Sequence, residues 1–210
     1  PSLIAFEAWR ETPAEFLVYG SVAIEGDSIV TETRLFDVLV SQQVVGKRLK
    51  TQQQWARLLA HQFADESIRF LTGVAGVASS EICFSGGQPG RKEIYIADYD
   101  GASVTKVTDH GSISIRPKFS PDGRRIAYMS YKDNFPFIYV YDRQTGISEP
   151  FSKRVGLNHA PSWAPDGETL AYVLSKDGNT EIYVKRVGSS SEMRLTNDRA
   201  SDTGPVFTPD

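Results

Sequence analysis

The stretch FSPDGRRIAYMS, residues 119–130, reads as a tight turn followed by a strand. Pro121 supplies the backbone angle that the first corner of a type I turn needs, and Gly123 tolerates the positive φ that often closes such a turn. Ile126, Tyr128 and Ser130 then alternate with two intervening apolar residues, which predicts a β-strand. One turn and strand of this kind occur in many folds, so the fold depends on whether the stretch recurs.

The stretch recurs at an interval of 44 residues. Pro121-Asp122-Gly123 corresponds to Pro165-Asp166-Gly167 and again to Pro209-Asp210. Two further strands follow the same interval: residues 82–84, 126–128 and 170–172 form one set, and residues 93–96, 137–140 and 181–184 form the other. A repeat of 40–45 residues that contains several short strands is typical of a β-propeller blade.

Each repeat therefore predicts a blade of four strands. In the second blade the predicted strands are 117–120, 125–131, 137–142 and 147–152, and in the third they are 161–164, 169–175, 180–186 and 192–195. The first blade shows strands two to four, near 81–85, 93–98 and 103–107. The chain holds about three blades, whereas propellers generally close with four or more. We therefore expect the propeller to be incomplete and the chain to be part of a longer protein.

The repeat does not extend into residues 1–73, which predict a separate small α/β domain, truncated at its start. Strands are predicted at 16–26, 28–40 and 44–50. An amphipathic helix follows, with a capping box at Thr51 and Gln54 and a stop at Gly73. Residues 74–80 are predicted to be a linker, and residues 81–210 the propeller blades. The predicted fold is thus an α/β N-terminal domain followed by an all-β propeller.

Composition narrows the classes of function. The chain has 210 residues, a net charge of −3 and 23% charged residues, so it lacks the basic surface expected of a nucleic-acid or anionic-membrane binder. The lone Cys83 occupies a strand position held by Ala127 and Ala171 in the other blades, which predicts a small core residue. The three histidines show no metal-ligand spacing, and no G-x-S-x-G motif is present. We identify no catalytic, cofactor-binding or metal-binding residues.

Binding is therefore expected on the irregular connections of the blades. Alternate connections of a four-stranded blade lie at the same end, so the connections 86–92, 108–116, 131–136, 153–160, 175–179 and 196–204 share one face, here called the loop face. Long loops on a rigid scaffold commonly carry function. The short SPDG turns lie at the opposite end and are expected to be structural.

The combination of domains resembles the TolB family of the Tol–Pal system. Besides the SPDG repeats, the resemblance is carried by Ala8-Trp9-Arg10, the strand from Phe16 to Val22, Arg34–Asp37, Leu71-Thr72-Gly73 and Asp98–Gly101. It implies a six-bladed propeller, a periplasmic location and no enzymatic activity. It also implies a monomer that binds the peptidoglycan-associated lipoprotein Pal and supports outer-membrane integrity and cell division.

The same resemblance implies where Pal would bind. The expected contact residues precede the inner strands of the blades: Ser114, Ile115, Leu157, Asn158, His159, Ala160, Asp202 and Thr203. The family also binds TolA through an N-terminal segment, which we expect to be absent from this chain.

Two alternatives remain at the level of sequence. Prolyl-oligopeptidase-like and tricorn-like proteases carry propellers with similar blade motifs that gate a hydrolase, and a propeller of this kind could bind some other ligand. The sequence beyond Asp210 would separate the first alternative from an adaptor, because a hydrolase would carry a G-x-S-x-G motif followed by its Asp and His. The N-terminal α/β domain favours the TolB-like interpretation.

Overall fold

A computed structural model describes residues 4–208, and the chain divides into two compact units between Ser80 and Glu81. The first unit contains helix α1 (Phe6–Arg10), strands β1 (Phe16–Glu25), β2 (Ser28–Asp37) and β3 (Gln42–Gln52), a 3-10 turn (Gln53–Trp55) and helix α2 (Ala56–Thr72). The strands form an antiparallel sheet in the order β1-β2-β3. Helix α2 packs on β2 and β3 and buries Phe63 and Ser67, which confirms the predicted α/β class.

The predicted capping box at the start of α2 is wrong. Strand β3 continues through Gln52, because Thr51 pairs with Ile29 and Gln52 pairs with Ser28 of the neighbouring strand. Thr51 is therefore part of strand β3, and the helix begins only after the 3-10 turn. The predicted stop is confirmed: Gly73 ends the helix with a φ of 74°, and its N–H donates to the Arg69 carbonyl at 2.9 Å.

Residues 74–80 are attached to helix α2 of the first unit. The Asp65 carboxylate accepts hydrogen bonds from the backbone N–H groups of Ala78 at 2.6 Å and Ser79 at 2.9 Å. The Ser79 hydroxyl also donates to this carboxylate and, with the two N–H groups, lowers the pKa of Asp65. A Cβ atom on Gly76 would lie 2.5 Å from the Asp65 Cα, so the close approach requires glycine.

The second unit consists of three consecutive antiparallel blades. Blade one contains β4 (Glu81–Gln88), β5 (Arg91–Asp98) and β6 (Thr105–Lys106). Blade two contains β7 (Ser114–Phe119), β8 (Arg125–Ser130), β9 (Phe137–Asp142) and β10 (Ile147–Ser152). Blade three contains β11 (Asn158–Trp163), β12 (Thr169–Leu174), β13 (Glu181–Arg186) and β14 (Met193–Arg194). Each strand pairs with its sequence neighbour, which confirms the predicted blade architecture.

The first blade differs from the prediction at its loop-face end. Residues 86–92 were expected to form a long connection, but β4 and β5 extend through them in register and leave only a turn at Pro89-Gly90. Gly87 permits this hairpin, because its φ of 124° is unfavourable for other residues and a Cβ there would lie 2.4 Å from the Arg91 carbonyl oxygen.

The innermost strands of blades two and three begin three residues earlier than predicted. Ser114 pairs with Ser130 in β7–β8, and Asn158 pairs with Leu174 in β11–β12. The register then shifts at a β-bulge in each strand, with Arg116 at a φ of 57° and Ala160 at 51°. Because each bulge interrupts the two-residue alternation of its strand, the sequence pattern does not show where the strand begins. The proline that follows each bulge, which has no N–H to donate, is accommodated there.

The core lies between neighbouring blades. Blade two contributes Ala127, Ile138, Val140 and Phe151 to a cluster completed by the blade-three residues Trp163, Leu170, Tyr172, Leu174 and Tyr183. A second cluster joins Ile94 and Ile96 of blade one to Ile126, Tyr128 and Tyr139 of blade two. The Trp163 indole N–H also donates to the Lys118 carbonyl at 3.0 Å and links the two innermost strands. Burial of one blade against the next therefore holds the unit together.

Replacing Leu170 by Ala should destabilise the second unit strongly. Leu170 is fully buried between blades two and three, and removing a buried leucine side chain costs about 2–5 kcal/mol. Urea unfolding followed by the fluorescence of the buried Trp163 measures the change. The exposed Ile147→Ala substitution is the matched control, and equal midpoints for the two variants would contradict the interblade core.

Candidate protein-binding face

The loop face of the second unit is formed by two kinds of connection. The connections β8–β9 and β12–β13 lie within blades two and three, and the connections β6–β7 and β10–β11 lead from one blade to the next. The opposite end carries the SPDG and APDG turns, whose aspartates each accept backbone hydrogen bonds within the turn. Those hydrogen bonds make the opposite end regular, whereas the loop face varies from blade to blade.

Two of the expected contact residues are buried. The Ser114 hydroxyl donates to the Ser130 hydroxyl at 3.0 Å and is fully inaccessible. Asn158 is also fully buried. Its Oδ1 atom accepts hydrogen bonds from the Ser152 hydroxyl and the Arg154 N–H, and its Nδ2 group donates to the carbonyls of Arg154 and Gly156. The expectation that these two side chains contact a partner directly is therefore corrected. Both lie inside the blade, where they support the connections. Asn158 determines the path of residues 153–157.

The other six expected residues keep some access to solvent. Ile115, Leu157, His159, Ala160 and Asp202 are partly buried, and Thr203 is exposed. His159 lies in β11 opposite Val173, and burial, followed by the nearby Arg116 charge, lowers its pKa. This lowered pKa favours the neutral form of the imidazole. The contact role of these six residues stays a prediction.

Sequence reasoning missed a buried carboxylate that supports the loop face in two blades. Glu93 Oε2 accepts from the Thr108 hydroxyl at 2.5 Å, and Glu93 Oε1 accepts from the backbone N–H groups of His110 and Gly111, each at 2.8 Å. The Thr108 hydroxyl oxygen in turn accepts from the Ile94 N–H at 2.9 Å. One buried side chain thus holds the connection that leads from blade one into blade two.

Glu181 repeats this arrangement two blade lengths later. It accepts from the Thr196 hydroxyl at 2.5 Å, and Thr196 accepts from the Ile182 N–H at 2.9 Å. Arg194 donates to the same carboxylate at 2.8 Å. The signal was present in the sequence, because Glu93 and Thr108 have the same spacing as Glu181 and Thr196.

Blade two replaces the carboxylate with a different buried group. Phe137 occupies the position of Glu93 and Glu181, and Ser152 occupies that of the threonine. The Ser152 hydroxyl donates to the Asn158 Oδ1 atom at 2.7 Å. Asn158 therefore supports the β10–β11 connection from the following strand, and strand β9 begins with a phenylalanine where the other blades have a glutamate.

The structure also places the residues considered for chemistry. Among residues 4–208 there is no group of three or more His, Cys, Asp or Glu side chains that could hold a metal ion. Cys83 is half-buried against the core of blades one and two, and burial raises the pKa of its thiol. Neither helix in this range is long and apolar enough to cross a membrane.

Comparison with known proteins defines the class first and the family second. The fold is that of a β-propeller protein, and the family model described as the TolB beta propeller domain, PD40, matches residues 68–210. The chain belongs to this TolB propeller family.

Individual relatives agree over the whole chain. It is 40% identical to the Tol-Pal system protein TolB of Bordetella pertussis, covering 100% of this chain and 48% of that protein. It is 32% identical to the protein TolB homolog of Chlorobium chlorochromatii, covering 100% of this chain and 47% of that protein. The crystal structure of TolB from Acinetobacter baumannii superposes with a TM-score of 0.90 and 30% identity, over 98% of this chain and 53% of that one. The chain thus spans about half the length of these relatives.

Changing Glu181 to Gln should flatten the response of stability to acid. The Thr196 hydrogen bond and the Arg194 charge lower the pKa of Glu181 below its ordinary value of 4.5. The ionised carboxylate therefore adds stability that is present above pH 4.5 and is lost as the pH falls through the lowered pKa. We expect the free energy of unfolding to fall less in the variant than in the wild type between about pH 5 and pH 3.

The exposed Glu149→Gln substitution is the control for this experiment, since it removes one carboxylate without touching the buried network. Parallel pH profiles for wild type, E149Q and E181Q would show that Glu181 is not stabilised in its ionised form.

Proposed function

We propose that this chain acts in the Tol–Pal system as a non-enzymatic periplasmic adaptor that binds Pal through the loop face. The observation that carries the proposal is the match of the whole chain, in sequence and in structure, to proteins described as TolB. In this role it would support outer-membrane integrity and cell division. TolA would bind through an N-terminal segment of the protein.

The architecture supports the loop face as the binding surface. Its connections differ among the blades, yet the connection that leaves each blade is held from within by a buried group, Glu93, Asn158 or Glu181. Loops that are held in place lose little conformational freedom on binding, which favours affinity. Variable but ordered connections are therefore suited to recognising one particular protein surface.

Within this face, Leu157 and His159 are the most direct candidates for contact with Pal. They lie on either side of the buried Asn158, and both are partly exposed. The neutral His159 ring can donate or accept a hydrogen bond without carrying a charge into an interface. Ile115, Ala160, Asp202 and Thr203 complete the proposed contact set.

The first test is calorimetric titration of the protein, in its natural full length, with soluble lipid-free Pal at physiological salt. We expect a 1:1 complex with a micromolar or lower Kd. Leu157→Glu and His159→Glu should each weaken binding about tenfold or more, which corresponds to roughly 1.4 kcal/mol, because a charge would enter the centre of the interface.

Gln144→Glu adds the same charge to an exposed turn at the opposite end of blade two and serves as the control. Absence of binding by a folded wild-type protein would refute the Pal assignment. Binding that survives both substitutions unchanged would refute the contact residues alone. Hydrolysis of a peptide substrate by the full-length protein would favour the alternative of a propeller that gates a protease.

A further inference from the structure

The β8–β9 connection of blade two carries an aromatic surface that the blade architecture does not require. Phe135 is 61% exposed and Tyr131 is 36% exposed, and the Phe135 ring lies 5.9 Å from the ring of Phe137. Lys153 lies beside the Phe137 ring, and Lys132 lies over the Tyr139 ring in the same connection. We call this set of residues the blade-two aromatic patch: Tyr131, Lys132, Phe135, Phe137 and Lys153.

The repeat supplies an internal comparison for this patch. In blade three the same connection carries Ser175, Asn179 and Glu181 at the positions of Tyr131, Phe135 and Phe137. Those polar residues have structural partners, since Asn179 donates to the carbonyls of Asp198 and Ala200 and Glu181 holds Thr196. A blade of this kind therefore folds with polar residues at all three positions. Phe137 packs partly against the core of blades one and two, whereas the exposed Tyr131 and Phe135 need another explanation.

The part of the connection that both blades share is a lysine and an aspartate held by a tyrosine. In blade two, Tyr139 donates to Asp133 at 2.8 Å and Lys132 lies 4.0 Å from the centre of the Tyr139 ring. In blade three, Tyr183 donates to Asp177 and Lys176 lies 4.8 Å from the Tyr183 ring. The shared set is the structural part of the turn, and it keeps each lysine in a defined position.

The two lysines differ in their electrostatic partners. Lys176 forms an ion pair with Glu192 at 2.6 Å, and Glu192 also accepts from the Tyr172 hydroxyl at 2.9 Å. At the position of Glu192, blade two has Ser148, which accepts from the Tyr128 hydroxyl at 2.8 Å but carries no charge. Within residues 4–208, Lys132 has no carboxylate at ion-pair distance. Its ammonium group instead lies over the Tyr139 ring, three residues along the chain from the exposed Phe135.

The second cation of the patch is also fixed in place. Lys153 pairs with Asp133, and its ammonium group lies 5.7 Å from the Phe137 ring and 5.9 Å from the Tyr139 ring. The Asn134 φ of 68° and the hydrogen bond from its N–H to the Tyr131 carbonyl at 2.8 Å define the turn that presents Phe135. An exposed aromatic residue on a defined turn with immobilised cations has the properties of an interface hot spot.

We propose that the blade-two aromatic patch docks a protein surface that presents an apolar side chain next to a carboxylate, with the apolar side chain packing on Phe135 and the carboxylate pairing with Lys132. The identity of this partner rests on the proposed function, so the docked surface is assigned to Pal. The patch extends the binding site from the β10–β11 connection to the β8–β9 connection. These two connections are linked, because the Asn158 N–H donates to the Pro136 carbonyl at 3.2 Å.

Two substitutions that copy blade three test the inference in the full-length protein. Phe135→Asn introduces the blade-three residue at an exposed position, so the turn should remain folded. It should weaken the binding of soluble Pal about tenfold or more. Ser148→Glu installs the carboxylate that neutralises Lys176 in blade three. It should weaken binding several-fold and reduce the dependence of the Kd on salt, because Lys132 would already be paired.

Ile147→Asn is the matched control, since it also replaces an exposed apolar side chain with asparagine. Ile147 is 57% exposed and lies at the opposite end of the blade. It should change the Kd by less than about twofold. Circular dichroism and thermal unfolding of each variant establish that the propeller is intact.

The outcomes separate the inference from the proposed function. If the wild type binds Pal and both F135N and S148E bind it with wild-type affinity, the patch inference is wrong and the adaptor function stands. If the folded wild type does not bind Pal, both are wrong. Binding of phosphatidylglycerol vesicles that is lost in F135N, with unchanged Pal affinity, would overturn the inference in favour of a lipid surface.

Discussion

The second unit depends on the burial of each blade's apolar surface against the next blade. A four-stranded antiparallel sheet of six-residue strands is too small to bury its own side chains, so Leu170 and Tyr172 of blade three are covered by Ala127, Ile138 and Phe151 of blade two. The 44-residue repeat places equivalent apolar residues at the same position of each blade. The Trp163–Lys118 hydrogen bond then joins the innermost strands at the same interface.

This arrangement leaves the ends of the blades free to differ. The core requires the strands but constrains the connections little, provided that a buried group satisfies the backbone where a connection turns inward. Glu93 and Glu181 meet that requirement in two blades, and Asn158 meets it in blade two. Because Asn158 provides this support in blade two, a glutamate is not needed at position 137. Phe137 can then pack partly on the core and lie beside the exposed Phe135, so the support of the fold and the proposed binding surface are connected.

Some of the candidate site could be read from sequence and some could not. Leu157, His159 and Thr203 have the accessibility that the family resemblance implies, although their contacts stay predictions. Ser114 and Asn158 looked equivalent to them as polar residues before an inner strand, but a polar residue at a strand end can face the core or the solvent. The bulges at Arg116 and Ala160 decide which residues face inward, and a left-handed residue before proline gives no recognisable sequence pattern. The capping box at Thr51 was wrong for a related reason: Thr51 also fits a strand, and pairing with Ile29 decides between the two.

By itself, the sequence determined the blade repeat, the positions of most strands, the separate α/β unit and the end of its helix at Gly73. These features follow from local rules, namely turn chemistry, two-residue alternation and helix stop signals, which act within a few residues. Only the tertiary structure decided which polar residues are buried, where β3 ends and which lysine lacks a carboxylate. Those outcomes depend on groups that lie far apart in the chain, such as Tyr128 and Ser148 or Glu93 and Thr108, and they become neighbours only when the strands pair.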